Sequence, residues 1–290
     1  MQTKVFEPKS YCFGVSQAIK KAIDVAHKNP NKNVYLLGKI VNNDQVIKDL
    51  AAQNIKTIDV SANDFPTVIG NFTPNDIVIF SAHGHDAKLE NILLKNKVTF
   101  YNTTCATLLD NFIDVRRNVS LFKKVIFVGI KGHQETVAFL SISNKIFLYD
   151  VLTNEFPKNL KGKIYIAFQS TLSKDTIELA EKNIRQVYPN SYSMTTVCDV
   201  TQIRQKIVTS TPDDFDLIVI VGSLQSSNSS RLYDIAKSTF PSKVVIQVST
   251  PEELIEKKNE IINCKKAAIY SGTSTPIKSI LEVENYLKTI

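Results

Sequence analysis

The sequence of 290 residues lacks three features that often identify the class of a protein. It has no CxxC pair, which excludes the usual zinc-ribbon and thioredoxin-type sites. It has no apolar run long enough for a membrane-spanning helix, and no GxGxxG or Walker lysine motif that would indicate a dinucleotide or ATP. Its first six residues enter a strand-like segment without the pattern of a signal or transit peptide. We therefore expect a cytoplasmic protein that needs no disulfides and does not associate with membranes.

The charge balance is moderately basic, with a net charge of +7 at neutral pH. The lysines are scattered along the chain and no basic run is interleaved with aromatic residues, so we expect no nucleic-acid partner. A basic balance instead suits an anionic small molecule or an acidic electron-donor protein. Because 43% of the residues are hydrophobic, the chain can build one large core or several small ones.

The cysteines carry the strongest pattern in the sequence. Cys12, Cys105 and Cys198 follow one another at equal intervals of 93 residues, which indicates an internal repeat. Each is followed by an amphipathic helical pattern and then by a short apolar strand that ends in a glycine. The fourth cysteine, Cys264, falls outside this register and is expected in the hydrophobic core.

The alternation of strands and helices within each repeat predicts an α/β fold. We expect three α/β units related by a pseudo-threefold axis, with small and mainly parallel sheets around a central cavity. The expected units span residues 1–100, 101–194 and 195–280, followed by a C-terminal tail at 281–290. No linker rich in glycine, proline or serine separates them, so tight packing is expected.

A pseudo-threefold arrangement would bring the three equally spaced cysteines to one point. Three thiolates suit a metal ion or an iron–sulfur cluster whose fourth position stays open to substrate or water. The alternative is that each cysteine is a small hydrophobic residue buried in a turn, as free cysteine often is. Three cysteines in equal register favour metal ligation over that alternative.

The stretch from Val128 to Glu135, near the middle of the chain, has the clearest proton chemistry. An apolar strand ends at Gly129, and His133 and Glu135 follow where the next helix should begin. Ligands bind at this carboxyl edge of a parallel sheet, and a histidine with a carboxylate can exchange protons there near neutral pH. Alternatively, Glu135 only favours the helix N-terminus and His133 is an ordinary loop residue.

Other polar loops fall at equivalent points of the three repeats. One set consists of Asn42 with Asn43, His133 with Glu135, and Ser226 to Asn228. The second set consists of His83, Ser170 with Thr171, and Ser274. The loop from Gly222 to Arg231 opens onto a helix whose first N–H groups could bind a phosphate, although such loops are also common as plain N-caps.

Seven ordered motifs extend these observations over nearly the whole chain. They are Tyr11-Cys12-Phe13-Gly14-Val15, Ser81-Ala82-His83-Gly84, Thr104-Cys105, Gly132-His133-Gln134-Glu135, Gln169-Ser170-Thr171-Leu172-Ser173, Gly222 to Arg231, and Ser274 with Pro276. Together they resemble the 4-hydroxy-3-methylbut-2-enyl diphosphate reductase family, also called IspH or LytB. The resemblance implies an oxidoreductase of the last step of the non-mevalonate pathway of isoprenoid biosynthesis. That step reductively removes an allylic hydroxyl and gives isopentenyl and dimethylallyl diphosphate.

The resemblance also implies roles for individual residues. Cys12, Cys105 and Cys198 match the ligands of one four-iron four-sulfur (4Fe–4S) cluster per chain, with one iron left open for the substrate hydroxyl. Glu135 matches a proton-delivering carboxylate, with Thr171 as a second catalytic residue. The implied substrate-binding residues are Asn42, His83, His133, Ser170, Thr171, Thr201, Ser226, Ser227, Asn228 and Ser274. The electrons imply a ferredoxin or flavodoxin-type donor.

Three positions depart from the family pattern. Asn42 stands where the family usually has a histidine, Ala106 where a proline follows the second cysteine, and Ile203 where an asparagine is usual. The first change removes a potentially cationic diphosphate ligand, although asparagine still donates a hydrogen bond. The cysteines and Glu135 match the pattern.

Two other functions remain open from the sequence. A non-catalytic homologue, a cluster-bearing sensor or binding protein with a weakened diphosphate site, would account for the histidine missing at Asn42. The intact Glu135, His133 and His83 argue against it. A zinc hydrolase with three cysteine ligands and Glu135 as its base would be colourless, whereas an iron–sulfur protein is brown.

Overall fold

Three four-stranded parallel sheets, with the helices that follow their strands, form the framework of the protein. The computed structural model describes residues 1–41, 43–61, 64–122, 124–193 and 197–290. The strands are β1 (Gln2–Val5), β2 (Asn33–Leu37), β3 (Ile55–Ile58), β4 (Asp76–Phe80), β5 (Thr99–Asn102), β6 (Val125–Gly129), β7 (Ile146–Asp150), β8 (Tyr165–Phe168), β9 (Tyr192–Ser193), β10 (Leu217–Val221), β11 (Val244–Val248) and β12 (Lys266–Ser271). The helices are α1 (Phe13–Lys28), α2 (Asp44–Ala51), α3 (Phe65–Ile69), α4 (Lys88–Lys95), α5 (Ala106–Phe122), α6 (Gln134–Ser141), α7 (Lys174–Val187), α8 (Asp199–Thr209), α9 (Ser227–Thr239), α10 (Pro251–Glu256), α11 (Lys258–Ile261) and α12 (Ile277–Thr289).

All three sheets have the same strand order. The orders are β3-β2-β4-β5, β7-β6-β8-β9 and β11-β10-β12-β1, and neighbouring strands are parallel throughout. The prediction of an α/β fold with three small parallel sheets is therefore confirmed.

The fourth strand of each sheet leads into one of the equally spaced cysteines and the helix after it. The successions are β1, Cys12 and α1; β5, Cys105 and α5; and β9, Cys198 and α8. The regular spacing of the cysteines thus reflects an equivalent place in the fold, beyond the carboxyl end of a parallel edge strand.

Two details of the structure bear on the expected domain organisation. β1 lies in the range assigned to the first unit but pairs with Lys266–Ile269 of β12, because it fills the edge that β5 and β9 fill in the other two sheets. Residues 281–290, expected as a tail, lie almost entirely in α12. Val283 and Leu287 of this helix are fully buried, because apolar residues four positions apart form its packed face. The boundaries at 100/101 and 194/195 stay a prediction.

Burial explains why the central strands form. All five residues of β4, of β6 and of β10 are buried, as expected of parallel strands covered on both faces. Beside β6, the ring of Phe139 from α6 stacks between Phe112 of α5 and Phe127, with centroids 4.3 and 4.5 Å away. This packing fixes α6 on the sheet. Cys264 packs, partly buried, against the core of the last sheet.

Internal contacts divide the chain into two compact units. The first consists of Met1–Ser16, Val41–Lys48 and Asp199–Ile290, and it contains the sheet formed by β1, β10, β11 and β12. The second consists of Gln17–Ile40 and Asp49–Cys198, and it contains the other two sheets. None of the helices in the described part of the chain has the length and apolarity needed to cross a membrane.

Candidate active site

The three equally spaced cysteines share one main-chain anchor. The N–H of each donates to a carbonyl in the turn after β12, β4 or β8, the third strand of its sheet. These donor and acceptor residues are Cys12 and Thr273 (3.0 Å), Cys105 and Ala82 (3.1 Å), and Cys198 and Ser170 (3.2 Å). Each cysteine is therefore held beside a polar turn in which a predicted site residue lies.

The local structure around these cysteines suits metal ligands. All three side chains are half-buried and directly precede the first residue of α1, α5 or α8. The N–H groups of a helix's first turn stabilise nearby negative charge, and the Sγ of Cys12 accepts the N–H of Val15 at 3.5 Å. Since the thiolate is the metal-binding form of cysteine, these positions favour coordination.

The three cysteines are distributed over both compact units, with Cys12 in the first and Cys105 and Cys198 in the second. Among the residues that the structure describes, no group of three histidine, cysteine, aspartate or glutamate side chains is arranged to hold a metal ion. The prediction that the three cysteines bind one cluster therefore stays a prediction.

Glu135 is a buried carboxyl group in the first turn of α6, with 1% of its surface exposed. Its Oε1 accepts the N–H of Ser170 at 2.7 Å, and its Oε2 accepts the Ser170 hydroxyl at 2.8 Å. Burial outweighs these two hydrogen bonds and raises the pKa of Glu135 to about 7, because a carboxylate loses solvation when it is buried. Glu135 can thus hold a proton near neutral pH and release it.

His133 and His83 lie together in the second unit. The Nδ1 of His133 caps α6 by accepting the N–H of Glu135 at 3.2 Å, and its ring lies edge-on to that of His83 with centroids 6.0 Å apart. Burial, together with His83, lowers the pKa of His133 to about 3. Burial also lowers the pKa of His83, against a hydrogen bond to the backbone of Lys39. Both imidazoles are therefore neutral at pH 7 and have one N–H each, and that of His83 is already directed to the backbone of Lys39.

Gln169 orders the turn after β8, although the sequence did not single it out as a site residue. It is fully buried, its Oε1 accepts the N–H of Ile130 at 2.9 Å, and its Nε2 donates to the Oγ1 of Thr171 at 2.9 Å. Because the Thr171 oxygen accepts this bond, its O–H can donate in another direction. The sequence feature that could have identified Gln169 is its position at the start of the Gln-Ser-Thr motif.

Gly129, at the end of β6, is required by close packing. A Cβ atom at this position would lie 2.6 Å from the Oγ1 of Thr136 and 3.2 Å from the Oε1 of Gln169. The first distance is too short for any side chain. The glycine therefore allows α6, with Glu135 in its first turn, to approach the strand end and the Gln169 turn.

Four predicted substrate-binding residues lie together in the first unit. Ser226 caps α9, and its Oγ lies 3.3 Å from the Oγ of Ser274. The Nδ2 of Asn228 donates to the Oγ1 of Thr201 at 3.5 Å, and its Oδ1 accepts the N–H of Thr273 at 3.0 Å. All four side chains are buried. The last bond ties this polar cluster to the turn that anchors Cys12.

The structure says less about the remaining predicted substrate-binding residues and about the departures from the family pattern. Ser227 begins α9 and is half-buried. Asn42 lies outside the described residues, whereas Asn43 precedes α2 and its Oδ1 accepts the N–H groups of Gln45 and Val46 at 3.0 and 3.2 Å. The two other departures from the family pattern, Ala106 and Ile203, are exposed positions.

Arg204, on α8, is a second residue that sequence reasoning missed. Its side chain is 3% exposed, its Nη2 donates to the carbonyl of Ser10 at 2.6 Å, and its Nη1 donates to the Oγ of Ser271 at 3.2 Å. The guanidinium thus joins the segment before Cys12 to the end of β12, and its charge interacts favourably with Cys12. No sequence pattern reveals this role, because arginine on a helix is normally exposed.

The fold and these turns define a class of protein, an α/β repeat protein whose cysteines, buried carboxyl group and polar clusters lie at the carboxyl edges of its sheets. The family model described as LytB protein matches residues 4–288, so the chain belongs to the LytB family. It is 28% identical over 277 residues to the 4-hydroxy-3-methylbut-2-enyl diphosphate reductase of Malacoplasma penetrans (strain HF-2). The matched region covers 93% of this chain and 91% of that protein.

Solved structures support the same grouping. The E-1-hydroxy-2-methyl-but-2-enyl-4-diphosphate reductase from Plasmodium falciparum has a TM-score of 0.84 and 25% identity, with 98% of this chain and 87% of that chain covered. A structure titled (E)-4-hydroxy-3-methyl-but-2-enyl diphosphate reductase, the terminal enzyme of the non-mevalonate pathway, has a TM-score of 0.69 and 24% identity with full coverage of both chains. At that identity, the second likeness shows the fold alone.

Proposed function

We propose that this protein is a 4-hydroxy-3-methylbut-2-enyl diphosphate reductase that acts in the last step of the non-mevalonate pathway. The reaction consumes two electrons and two protons, breaks the allylic C–O bond, releases water, and gives isopentenyl and dimethylallyl diphosphate. The observation that carries this function is the buried Glu135, whose pKa of about 7 suits proton delivery, bonded to the same Ser170 that anchors Cys198. Membership of the LytB family supports it over nearly the whole chain.

Cys12, Cys105 and Cys198 would hold an iron–sulfur cluster. The residues fit such a group, since each is a half-buried thiol at the start of a helix and is fixed by a main-chain hydrogen bond. When bound, a four-iron four-sulfur cluster supplies electrons and one open iron that acts as a Lewis acid toward the substrate hydroxyl. The electrons would come from a ferredoxin or flavodoxin-type protein.

Glu135 would deliver the proton that turns the departing hydroxide into water. With its pKa near 7, about half of this carboxyl group is protonated at neutral pH, which suits a general acid. Ser170 contacts both carboxyl oxygens and would keep the group oriented. Thr171, whose oxygen accepts a bond from Gln169, would direct its O–H toward the substrate.

The diphosphate would be bound mainly by neutral hydrogen-bond donors. His133 has its Nδ1 occupied as the cap of α6, so its proton lies on Nε2 and can be donated to a phosphate oxygen. The one N–H of neutral His83 is directed to the backbone of Lys39, so His83 would donate to the diphosphate only after its second nitrogen is protonated. The polar cluster of the first unit would contribute the remaining contacts from Thr201, Ser226, Ser227, Asn228 and Ser274. Affinity would then rest on directed hydrogen bonds, and binding of the anion would raise the pKa of both histidines.

A non-catalytic cluster-bearing homologue is not favoured as the alternative. A sensor would not need a carboxyl group whose pKa lies near 7, nor two buried neutral imidazoles beside it. The retained arrangement of Glu135, His133 and His83 therefore supports turnover.

The test is iron and sulfide analysis of anaerobically purified protein, followed by turnover with a reduced donor protein. We expect about four irons per chain, visible absorption that the substrate perturbs, and formation of both diphosphate products. A cluster without turnover would establish the non-catalytic alternative. A colourless protein that takes up zinc and no iron after anaerobic reconstitution would overturn the proposal and favour a zinc hydrolase.

A further inference from the structure

We infer that Gln134 is a positioning residue that ties the turn carrying His83 to the turn carrying His133 and Glu135. The catalytic consequence of this inference rests on the proposed function. Its structural part rests on hydrogen bonds within the second compact unit alone.

The amide group of Gln134 bridges the two turns directly. Gln134 is the first residue of α6, between His133 and Glu135, and its Nε2 donates to the Oγ of Ser81 at 2.8 Å and to the carbonyl of Gly84 at 3.2 Å. Ser81 and Gly84 begin and end the turn that contains His83. Because a backbone carbonyl can only accept, the amide cannot be reversed without losing the second bond.

Ser81 carries the connection to the main chain of His83. Its Oγ accepts the N–H of His83 at 3.3 Å as well as the bond from Gln134. Ser81 is fully buried, so no water replaces the amide when it is lost, and the Oγ keeps only the N–H of His83. Buried polar groups that lose a partner are costly, and the turn would shift to recover one.

A third turn holds the amide in place. Gly38, at the end of β2, has a positive φ of 75°, and a Cβ atom there would lie 2.7 Å from the Oε1 and 3.0 Å from the Nε2 of Gln134. The amide therefore lies against the backbone of Gly38, at a point where the turns after β2 and β4 meet the start of α6. A side chain seated in this way cannot swing aside while both turns keep their positions.

This arrangement predicts a split between binding and chemistry. Gln134 fixes the His83 turn, whereas Glu135 is held separately by Ser170. Loss of the amide should therefore loosen His83 relative to His133 and weaken diphosphate binding, while proton delivery by Glu135 is kept.

The test compares Gln134→Met and Gln134→Glu with a matched control in the same helix. Methionine keeps the length of the side chain and removes both N–H donors, whereas glutamate can accept from Ser81 but repels the Gly84 carbonyl. The control, Ser141→Ala, removes a 2.7 Å side-chain bond to Ala138 at the far end of α6. We expect both Gln134 variants to raise KM and the Kd of inorganic pyrophosphate about tenfold, with kcat changed by less than about twofold, and no change in the control.

A double-variant cycle with Ser81→Ala sharpens the test. If Gln134 acts through Ser81, the Ser81→Ala and Gln134→Met effects on pyrophosphate Kd are less than additive. Additive effects or an unchanged Kd in Gln134→Met would each overturn the positioning role. So would a fall in kcat as large as the rise in KM, together with a large fall in Tm.

A measurement without turnover keeps this inference separate from the proposed function. Side-chain NMR of the holoprotein should show that the His83 imidazole signals shift or broaden in Gln134→Met and not in Ser141→Ala. If the protein neither turns over nor binds pyrophosphate, the proposed function fails, yet these signals still decide the structural role. Unchanged His83 signals in Gln134→Met would overturn it.

Discussion

The carboxyl group of Glu135 links the chemistry of this protein to pH at the scale of a single residue. Its pKa of about 7 means that it loses its proton as the solution becomes alkaline. We therefore expect kcat to fall as the pH rises above 7, and Glu135→Gln to lower kcat by roughly a hundredfold or more, the usual contribution of a general acid. Steady-state assays with a reduced donor, and iron analysis of the variant, measure this. Equal activity in a variant of unchanged iron content would remove proton delivery from Glu135.

The same residue makes stability depend on pH. Its pKa is raised from 4.5 in an unfolded chain to about 7 in the folded protein, so between these values the folded state binds more protons. The contribution of Glu135 to the free energy of unfolding therefore falls as the pH rises through this window, and it is lowest above pH 7. Glutamine does not titrate, so we expect the free energy of unfolding of Glu135→Gln to rise relative to that of the native protein by roughly 2–3 kcal/mol between pH 5 and pH 8.

Urea unfolding at the two pH values measures this difference. The exposed Glu178→Gln on α7 serves as a control in which no such growth is expected. A pH-independent difference between Glu135→Gln and the native protein would mean that the carboxyl group titrates as it does in the unfolded chain.

Asn42 is the position where the sequence departs most from the family in chemical character. Asn42→His restores a potentially cationic hydrogen-bond donor, so we expect tighter pyrophosphate binding, and a larger gain at pH 6 than at pH 8. Calorimetric titration at both pH values measures it. An affinity that is unchanged at both would show that the site has been rebuilt around asparagine.

At the scale of an element, the first turn of α6 combines a structural cap with residues that we propose to bind the substrate. The Nδ1 of His133 accepts the N–H of Glu135, and loss of such a cap typically costs about 1 kcal/mol. We expect His133→Ala to lower the free energy of unfolding by that amount and His133→Asn to retain it, because asparagine is a good cap. Both variants should raise the KM for the substrate, since neither supplies the imidazole. Equal stability of the two variants would deny the capping role.

The elements themselves could be predicted from the sequence, whereas the bonds between them could not. The apolar run before Gly129 and the polar residues after it located β6 and the start of α6 correctly. The bond from Gln134 to Ser81 joins residues 53 positions apart, and hydrophobic periodicity carries no information about such a pair. Arg204 was missed for the related reason that most of its hydrogen bonds go to backbone carbonyls, which every residue has.

At the scale of the whole molecule, the first strand completes the last sheet. β1 pairs with β12, and the amino group of Met1 donates to the carbonyl of Leu287 in α12 at 3.1 Å. We expect removal of residues 1–5 to destabilise the first compact unit and to leave the second intact. Hydrogen exchange should show faster exchange in β12 and α12, with β4 and β6 unchanged. Equal acceleration in both units, or none in β12, would contradict this division.

The repeat predicted three sheets but could not assign β1 among them. The period of 93 residues is the same whether an edge strand stays with its own repeat or pairs with another. Only the strand partners in the folded chain distinguish the two arrangements, and these depend on contacts between residues more than 200 positions apart, such as Thr3 and Ala267.

The main-chain anchors of the three cysteines have a consequence for how such a protein diverges. An amide-to-carbonyl bond does not depend on which side chains flank it, so the positions of Cys12, Cys105 and Cys198 survive replacement of their neighbours. Exposed sites such as Ala106 and Ile203 can then drift without displacing a thiol. Substitutions beside the three cysteines are therefore expected to leave the thiols where the main chain holds them, so the ligand positions tolerate more sequence change than bonds between side chains would.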